Sequence, residues 1–151
     1  MKNNVTIKLF KHNIPIQIRY NDCDMLGHVN NAIQLSYIES GRVSYFEKII
    51  PNNNFQETGV IIAKTEIEYF EPIFLNDNLF CATRISIIKN KSFVIENILF
   101  SKNKQKSIVK SYAKSIMVCF NYNRNTSILV PDTWINKIKK TDGKNLTIDR
   151  K

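Results

Sequence analysis

The sequence predicts an α+β fold in which an antiparallel sheet wraps around one long helix. A strand with alternating apolar residues lies near the N-terminus, and a run with helical spacing follows from about Asn31 to Ile49. Four further strand-like runs, separated by short turns, come after the helix. A chain with this order of elements most naturally folds its strands into one sheet that packs on the helix.

The first strand and the helix are predicted from their apolar periods. The segment "IPIQIRY", residues 14–20, alternates apolar and polar residues and predicts a half-buried strand with Tyr20 on its apolar face. From about Asn31 the apolar residues recur every three or four positions, which is typical of a helix. Asn30 or Asn31 suits the N-cap, and "PNNN" at residues 51–54 ends the helix.

The second half of the sequence consists mainly of strand-like runs. Two of them are joined by Asn90 and Lys91, which predicts a β-hairpin. A short amphipathic helix is predicted over residues 131–140, and the polar segment after it is expected to fray. The predicted strands cover residues 60–70, 78–89, 92–100 and 107–120.

Length and composition predict one soluble domain. The 151 residues, 43% hydrophobic and 23% charged, are enough to bury a sizeable core. We expect a single domain over residues 1–151, with its core at about 12–140 and a polar tail at 141–151. No apolar run reaches the roughly 20 residues that span a membrane, and no export leader is visible at the start. Three cysteines without a CxxC pair indicate reduced thiols, so the expected location is cytoplasmic.

The net charge of +9 is concentrated in one part of the chain. Residues 89–114 contain seven lysines and a single acid, Glu96. Such a patch suits a polyanionic small molecule as well as a nucleic acid, and it is equally consistent with a solvated lysine-rich edge that binds neither. No zinc finger, helix-turn-helix or RNP-like pattern accompanies it, so nucleic-acid binding rests on charge alone and we do not expect it.

The junction between the first strand and the helix, "NDCDMLGHVNN" at residues 21–31, is rich in polar chemistry. A helix N-terminus presents unpaired N–H groups that polarise a carbonyl or stabilise an oxyanion. Asp22 and Asp24 lie just before it, and in a strand they would point the same way. Gly27 allows a tight bend between them and the helix. A carboxylate that faces such a helix end is suited to acyl transfer.

The stretch "DCDMLGHVNNAIQLSYIESGRVSYF" resembles the signature of hotdog-fold acyl-CoA thioesterases of the 4-hydroxybenzoyl-CoA thioesterase-like group. Its D-x-D-x-x-x-H-V-N-N core is similar also to that of plant acyl-ACP thioesterases. The resemblance extends over about residues 12–140 and includes "EIEYFEPIFLNDNL". It implies a hotdog fold, a five-stranded antiparallel sheet around a central helix, in chains that pair edge to edge as a homodimer or homotetramer.

The resemblance also implies residue roles. Asp24 matches the catalytic carboxylate and would act as general base or as nucleophile. The backbone N–H groups of Val29, Asn30 and Asn31 would polarise the thioester carbonyl, and His28 and Asn31 would orient the reacting groups. Many relatives carry an aromatic residue in place of Gln34, which would face the acyl pocket or the sheet.

The resemblance also implies where the phosphates of CoA would bind. In the family, CoA phosphates lie on basic surface near strand ends, often from a partner subunit, which would assign Lys89 and Lys91 to phosphate binding. Asp22 is expected to be structural. We expect no cofactor and no metal, because His12 and His28 have no metal-ligand spacing.

The predicted function is therefore hydrolysis of a fatty or aromatic acyl-CoA to the free acid and CoA. Two alternatives stay open: an acyl-ACP thioesterase, and a protein of the same fold that binds acyl thioesters without hydrolysing them. No nucleic acid and no membrane are expected as partners.

Overall fold

The computed structural model describes residues 6–104 and 106–151. Short 3₁₀ turns occur at Ile7–Leu9, Tyr20–Asp22 and Gly143–Asn145. The helix predicted from Asn31 to Ile49 has those bounds. The helices and strands, in chain order, are β1 His12–Ile16, α1 Asn31–Ile49, β2 Gly59–Tyr69, β3 Leu79–Ile88, β4 Ser92–Asn103, β5 Lys106–Asn121, β6 Thr126–Ser127, α2 Asp132–Asp142 and β7 Thr147–Ile148.

Five strands pair antiparallel in one sheet, in the order β1-β3-β4-β5-β2. Two short strands are added to the five that the sequence predicts: β6 pairs with β5, and β7 runs parallel to β3. Helix α1 packs against β1, β3 and β4, so the predicted α+β architecture is confirmed. The β3–β4 hairpin is also confirmed, since Lys89 N donates to the Ser92 carbonyl at 2.7 Å.

The core lies between α1 and the sheet, and one glycine sets their separation. A Cβ atom at Gly41 would lie 2.9 Å from Thr83 Oγ1 and closer still to Cys81 Sγ. Glycine therefore lets the middle of α1 approach β3 more closely than any other residue could. At the other end of the chain α2 covers the core with Trp134, Ile135 and Ile138, as its predicted apolar face requires.

Two local expectations are wrong. Tyr20 does not continue the apolar face of the first strand; it is 81% exposed, because β1 ends at Ile16 and the chain turns at Tyr20–Asp22. The segment after Thr141 does not fray. Asp142 is buried and accepts a hydrogen bond from Tyr45 OH at 2.5 Å, and β7 then pairs with the end of β3.

Within the described residues, no helix has both the length and the apolar character needed to cross a membrane.

Candidate active site

The loop before α1 is closed by backbone hydrogen bonds. Asp24 N donates to the His28 carbonyl at 2.8 Å, and Gly27 N donates to the Asp24 carbonyl at 3.0 Å. Gly27 has φ of +78°, a conformation that other residues rarely adopt, so the predicted need for glycine in this bend is met. Cys23 and Val29 face each other in an isolated antiparallel bridge. These contacts fix Asp24 at the start of a tight turn.

Asp22 anchors this loop to α1. Its side chain, 2% exposed, accepts hydrogen bonds from Tyr37 OH at 2.6 Å and from Arg19 N at 2.8 Å, and it pairs with Arg19 Nη2 at 3.0 Å. Burial alone would raise the pKa of Asp22, but the hydrogen bonds from Tyr37 and Arg19 outweigh it and lower that pKa. Asp22 is therefore a structural carboxylate. Asp22 and Asp24 would point the same way only within a strand, and Tyr20–Asp22 forms a 3₁₀ turn instead.

Asp24 is the exposed carboxylate of the pair. Its Oδ1 accepts a hydrogen bond from Leu26 N at 2.9 Å, which holds the side chain in place. Among the described residues no donor contacts its second oxygen. Asp24 lines a cleft of about 440 Å³, so this second oxygen is available to a bound molecule.

Asn30 is the N-cap of α1. Its side-chain Oδ1 accepts a hydrogen bond from Ala32 N at 2.8 Å, and its carbonyl accepts from Ile33 N and Gln34 N. Such a cap satisfies N–H groups that a helix start would otherwise leave unpaired. The side chain of Asn30 is thus occupied by the helix itself.

The backbone N–H groups at the helix start are not equivalent. Val29 N donates to the Ile73 carbonyl at 2.8 Å, and Asn30 N donates to the Asp22 carbonyl at 2.9 Å. In the part of the chain that the structure describes, Asn31 N has no acceptor. The expectation that the N–H groups of Val29, Asn30 and Asn31 all polarise a carbonyl is therefore wrong for the first two. Asn31 N remains as the donor, at the positive end of the α1 dipole.

The opposite wall of the cleft is formed by the segment after β2, which sequence reasoning did not assign to the site. Tyr69 and residues 70–72 line it. Lys110 holds this wall, since its Nζ donates to the Pro72 carbonyl at 2.8 Å and pairs with Asp77 Oδ2 at 2.9 Å. In the sequence, the stretch "EIEYFEPIFLNDNL" contributes only to the family resemblance. Its proline and its aspartate are the signal that could have located the wall.

His28 and Gln34 both lie on the cleft. The His28 ring is half-buried and packs edge-on against Phe74, with ring centroids 5.1 Å apart. Gln34 is 3% exposed, and no described residue bonds its Oε1. The cleft therefore collects the predicted residues Asp24, His28, Val29, Asn30, Asn31 and Gln34.

Lys89 and Lys91 are not part of this cleft. They lie at the β3–β4 hairpin, whereas the cleft lies near Leu79, where β3 begins. The two ends of the ten-residue strand β3 are about 30 Å apart. A single chain therefore does not bring these lysines to Asp24, and the expectation holds only for lysines supplied by a partner subunit.

Residues 18–138 match the model of the Thioesterase-like superfamily. The chain belongs to this superfamily. The resemblance predicted from the "HVNN" junction is thereby confirmed, and the matched range includes both the Asp24 loop and the wall after β2.

Solved thioesterase structures share the fold. A Thermus thermophilus thioesterase, crystallised with coenzyme A and Zn, is 26% identical and has a TM-score of 0.77 over 89% of this chain and 96% of that chain. A 4-hydroxybenzoyl-CoA thioesterase variant with bound 4-hydroxybenzoyl-CoA is 18% identical, with a TM-score of 0.78 over 84% and 97%. These likenesses confirm the predicted hotdog fold, a sheet wrapped around a long helix.

This chain matches only part of each curated relative. A chloroplastic acyl-acyl carrier protein thioesterase of Arabidopsis thaliana is 26% identical over 114 residues, which cover 74% of this chain and 61% of that protein. The chain spans 54% to 64% of the length of the curated relatives that it matches.

Among the described residues, the cleft thus contains a carboxylate oxygen of Asp24 that can accept a hydrogen bond and a backbone N–H of Asn31 that is free to donate one. The carboxylate can take a proton or attack a carbonyl carbon, and the donor can hold the carbonyl oxygen. Among residues 6–104 and 106–151, no three His, Cys, Asp or Glu side chains are grouped so that they could hold a metal ion.

Proposed function

We propose that the protein hydrolyses an acyl-CoA thioester to a carboxylic acid and free CoA, with Asp24 as the catalytic carboxylate. One observation carries the proposal: Asp24 and Asn31 line the same cleft, and within the described residues one oxygen of Asp24 and the N–H of Asn31 are unpaired. Membership of the Thioesterase-like superfamily supports it, as does the similar Thermus thermophilus thioesterase that was crystallised with coenzyme A.

In the proposed reaction the thioester oxygen accepts a hydrogen bond from Asn31 N, so negative charge develops next to the N-terminus of α1. Asp24 then takes a proton from an attacking water, or attacks the carbonyl carbon itself to form a mixed anhydride that water opens. In both routes the C–S bond breaks, the sulfur leaves as a thiolate that gains a proton, and the acid carries one oxygen from water. Val29, Asn30, Gln34 and the half-buried His28 contact the substrate from the walls of the cleft.

The active protein is proposed to be a homodimer that pairs through β2. This edge strand is exposed at eight of its eleven residues, among them the successive Ile61 and Ile62, which point to opposite faces. Two copies related by a two-fold axis normal to the sheet pair these strands antiparallel. In each copy, Gly59 of β2 lies at the end of the sheet that carries the β3–β4 hairpin, and Tyr69 lies at the cleft. Antiparallel pairing would put the Gly59 end of one copy next to the Tyr69 end of the other. The partner's β3–β4 hairpin would then lie beside this cleft. Lys89 and Lys91 of the partner subunit are thereby assigned to the CoA phosphates.

An assay of thiol release tests the reaction. Wild-type protein is offered a panel of acyl-CoA and acyl-ACP thioesters beside two variants, Asp24→Asn and the control Asp132→Asn. Asp132 is an exposed carboxylate on α2, so its variant should match the wild type. Asp24→Asn should lose about 100-fold or more in kcat, as expected when a general base or nucleophile is removed.

Three outcomes would contradict the proposal in different ways. Turnover by Asp24→Asn at the wild-type rate refutes the assignment of Asp24. Tight binding of a thioester without turnover by the wild type indicates a binding protein. Turnover of acyl-ACP with no acyl-CoA activity indicates the alternative carrier, which the Arabidopsis relative favours.

The phosphate assignment has a separate test. Reversing the charge of Lys89 and Lys91 to glutamate should raise KM for CoA esters and leave short thioesters without CoA unaffected. Lys139 and Lys140, exposed on α2, provide the matched control pair. Equal effects on both substrate classes would refute a role in binding phosphate.

A further inference from the structure

The side chain of Gln34 is a buried amide without a protein partner. It is 3% exposed and lines the cleft, and among the described residues neither its oxygen nor its nitrogen makes a hydrogen bond. An unsatisfied buried polar group of this kind costs roughly 1–3 kcal/mol of stability. A methionine or leucine would fill the same space without that cost, so we expect the amide to have a polar partner other than the described residues.

The position of Gln34 in α1 indicates which polar group the amide meets. Gln34 is the fourth residue of the helix, about 4.5 Å along the axis from Asn31. Helical side chains lean towards the N-terminus, so the amide extends back over the first turn. That turn carries the unpaired N–H of Asn31, and both residues line the cleft.

We infer that Gln34 Nε2 donates a second hydrogen bond to the thioester oxygen that Asn31 N polarises. Because no described residue holds either end of the amide, it can rotate about its last side-chain bond and present the N–H₂ group to the cleft. The inference rests on the proposed function. It makes Gln34 a catalytic residue, because the charge on the oxygen grows as the carbonyl is attacked and a donor is worth most at that stage.

Recognition of the acyl chain is the competing role for this amide. A fatty or aromatic acyl group has no polar atom next to the thioester that could pair with Gln34, whereas the thioester oxygen is present in every substrate. A hydroxylated acyl chain could pair with Gln34. A Gln34 variant would then lose activity only on hydroxylated substrates, whereas loss of a bond to the thioester oxygen would affect every substrate.

The decisive variant is Gln34→Met, which keeps the length of the side chain and removes its hydrogen-bonding groups. Its control is Gln17→Met, a substitution at an exposed glutamine just after β1. On acyl-CoA substrates, kcat of Gln34→Met should fall about 100- to 1,000-fold, the usual loss when one oxyanion donor is removed. KM should change by no more than about 3-fold, and Gln17→Met should match the wild type.

Two further measurements separate catalysis from structure. The midpoint of thermal unfolding of Gln34→Met should be no lower than that of the wild type, because an unpaired buried amide has been removed. In an Asp24→Asn background, the infrared stretch of a ¹³C-labelled thioester carbonyl should shift to lower frequency on binding, and Gln34→Met should reduce that shift.

The inference would be overturned if Gln34→Met had the same kcat as the wild type, whether its KM was unchanged or raised. A loss confined to hydroxylated acyl chains would overturn it in favour of acyl recognition. If the wild-type protein hydrolyses no thioester at all, the proposed function fails instead, and this result is distinct from an active wild type with an equally active variant.

Discussion

Replacing Tyr37 by Phe tests whether the buried Asp22 carboxylate anchors the Asp24 loop to α1. The substitution removes the hydroxyl that donates to Asp22 Oδ2 at 2.6 Å and leaves the ring in the core. Both side chains are buried, so water does not readily replace the lost donor. A hydrogen bond to a charged group is worth about 1.5–3 kcal/mol, and we expect a loss of this size in the free energy of unfolding. For a chain of this length that corresponds to a fall of about 3–12 °C in Tm.

The pH dependence of the effect follows from Asp22. Its pKa is lowered in the folded protein, so its contribution to stability is present above the unfolded-state pKa of about 4 and is lost as pH falls through the folded-state value. The difference between the wild type and Tyr37→Phe should therefore be largest near pH 7 and shrink below about pH 4. Urea unfolding at both pH values measures it.

The control for this substitution is Tyr20→Phe, in the same segment of the chain. Tyr20 is exposed, so its variant should change the free energy of unfolding by less than about 0.5 kcal/mol. Equal costs for Tyr37→Phe and Tyr20→Phe, or a Tyr37→Phe cost that does not fall in acid, would refute the anchoring role of Asp22.

Three other substitutions test the helix contact, the C-terminal anchor and the cleft wall. Gly41→Ala should cost about 1–3 kcal/mol in urea unfolding, because the new methyl group clashes with Cys81 Sγ. Burial raises the pKa of Asp142, so the wild type should lose stability as pH rises from about 4 through the folded-state pKa. In urea unfolding over that pH range, the stability of Asp142→Asn should depend less on pH than that of the wild type. Lys110→Met leaves the Asp77 carboxylate without its ion-pair partner, so it should lower stability by about 1–3 kcal/mol and, in the thiol-release assay, raise KM.

The elements that local sequence determines could be predicted well. Helix α1 begins and ends as predicted because its period and its asparagine cap are properties of neighbouring residues. The hairpin at Asn90 and Lys91 and the apolar face of α2 are local in the same sense.

The errors occurred where distant residues determine the local structure. The turn at Tyr20–Asp22 is held by Tyr37, which is 15 residues from Asp22 in the sequence. The C-terminal segment is held by Tyr45, which is 97 residues from Asp142. A pattern within a window of ten residues contains neither contact. Alternation alone therefore does not show that the first strand ends at Ile16, and polarity alone does not show that the segment after Thr141 is ordered.

The predicted residues between Asp24 and Gln34 line one cleft for a related reason. Asp24 and Asn31 are close in sequence, and the turn at Gly27 makes them neighbours on the cleft. Which of the three N–H groups is free depends on the Ile73 carbonyl, more than 40 residues after Val29, and could not be read from the motif.

The two edges of the sheet differ in a way that limits how many copies can join. One edge is the long, exposed β2. The other is the five-residue β1, where Pro15 has no N–H to donate, and beyond it the short β7, which pairs with Ile87 and Ile88 of β3. A strand interrupted by proline is a poor template for another chain. Association through β2 consumes that edge in both copies and leaves only edges of the second kind. In the proposed homodimer, growth of the sheet would therefore stop at a closed pair, and open-ended fibres through edge-to-edge addition would be disfavoured.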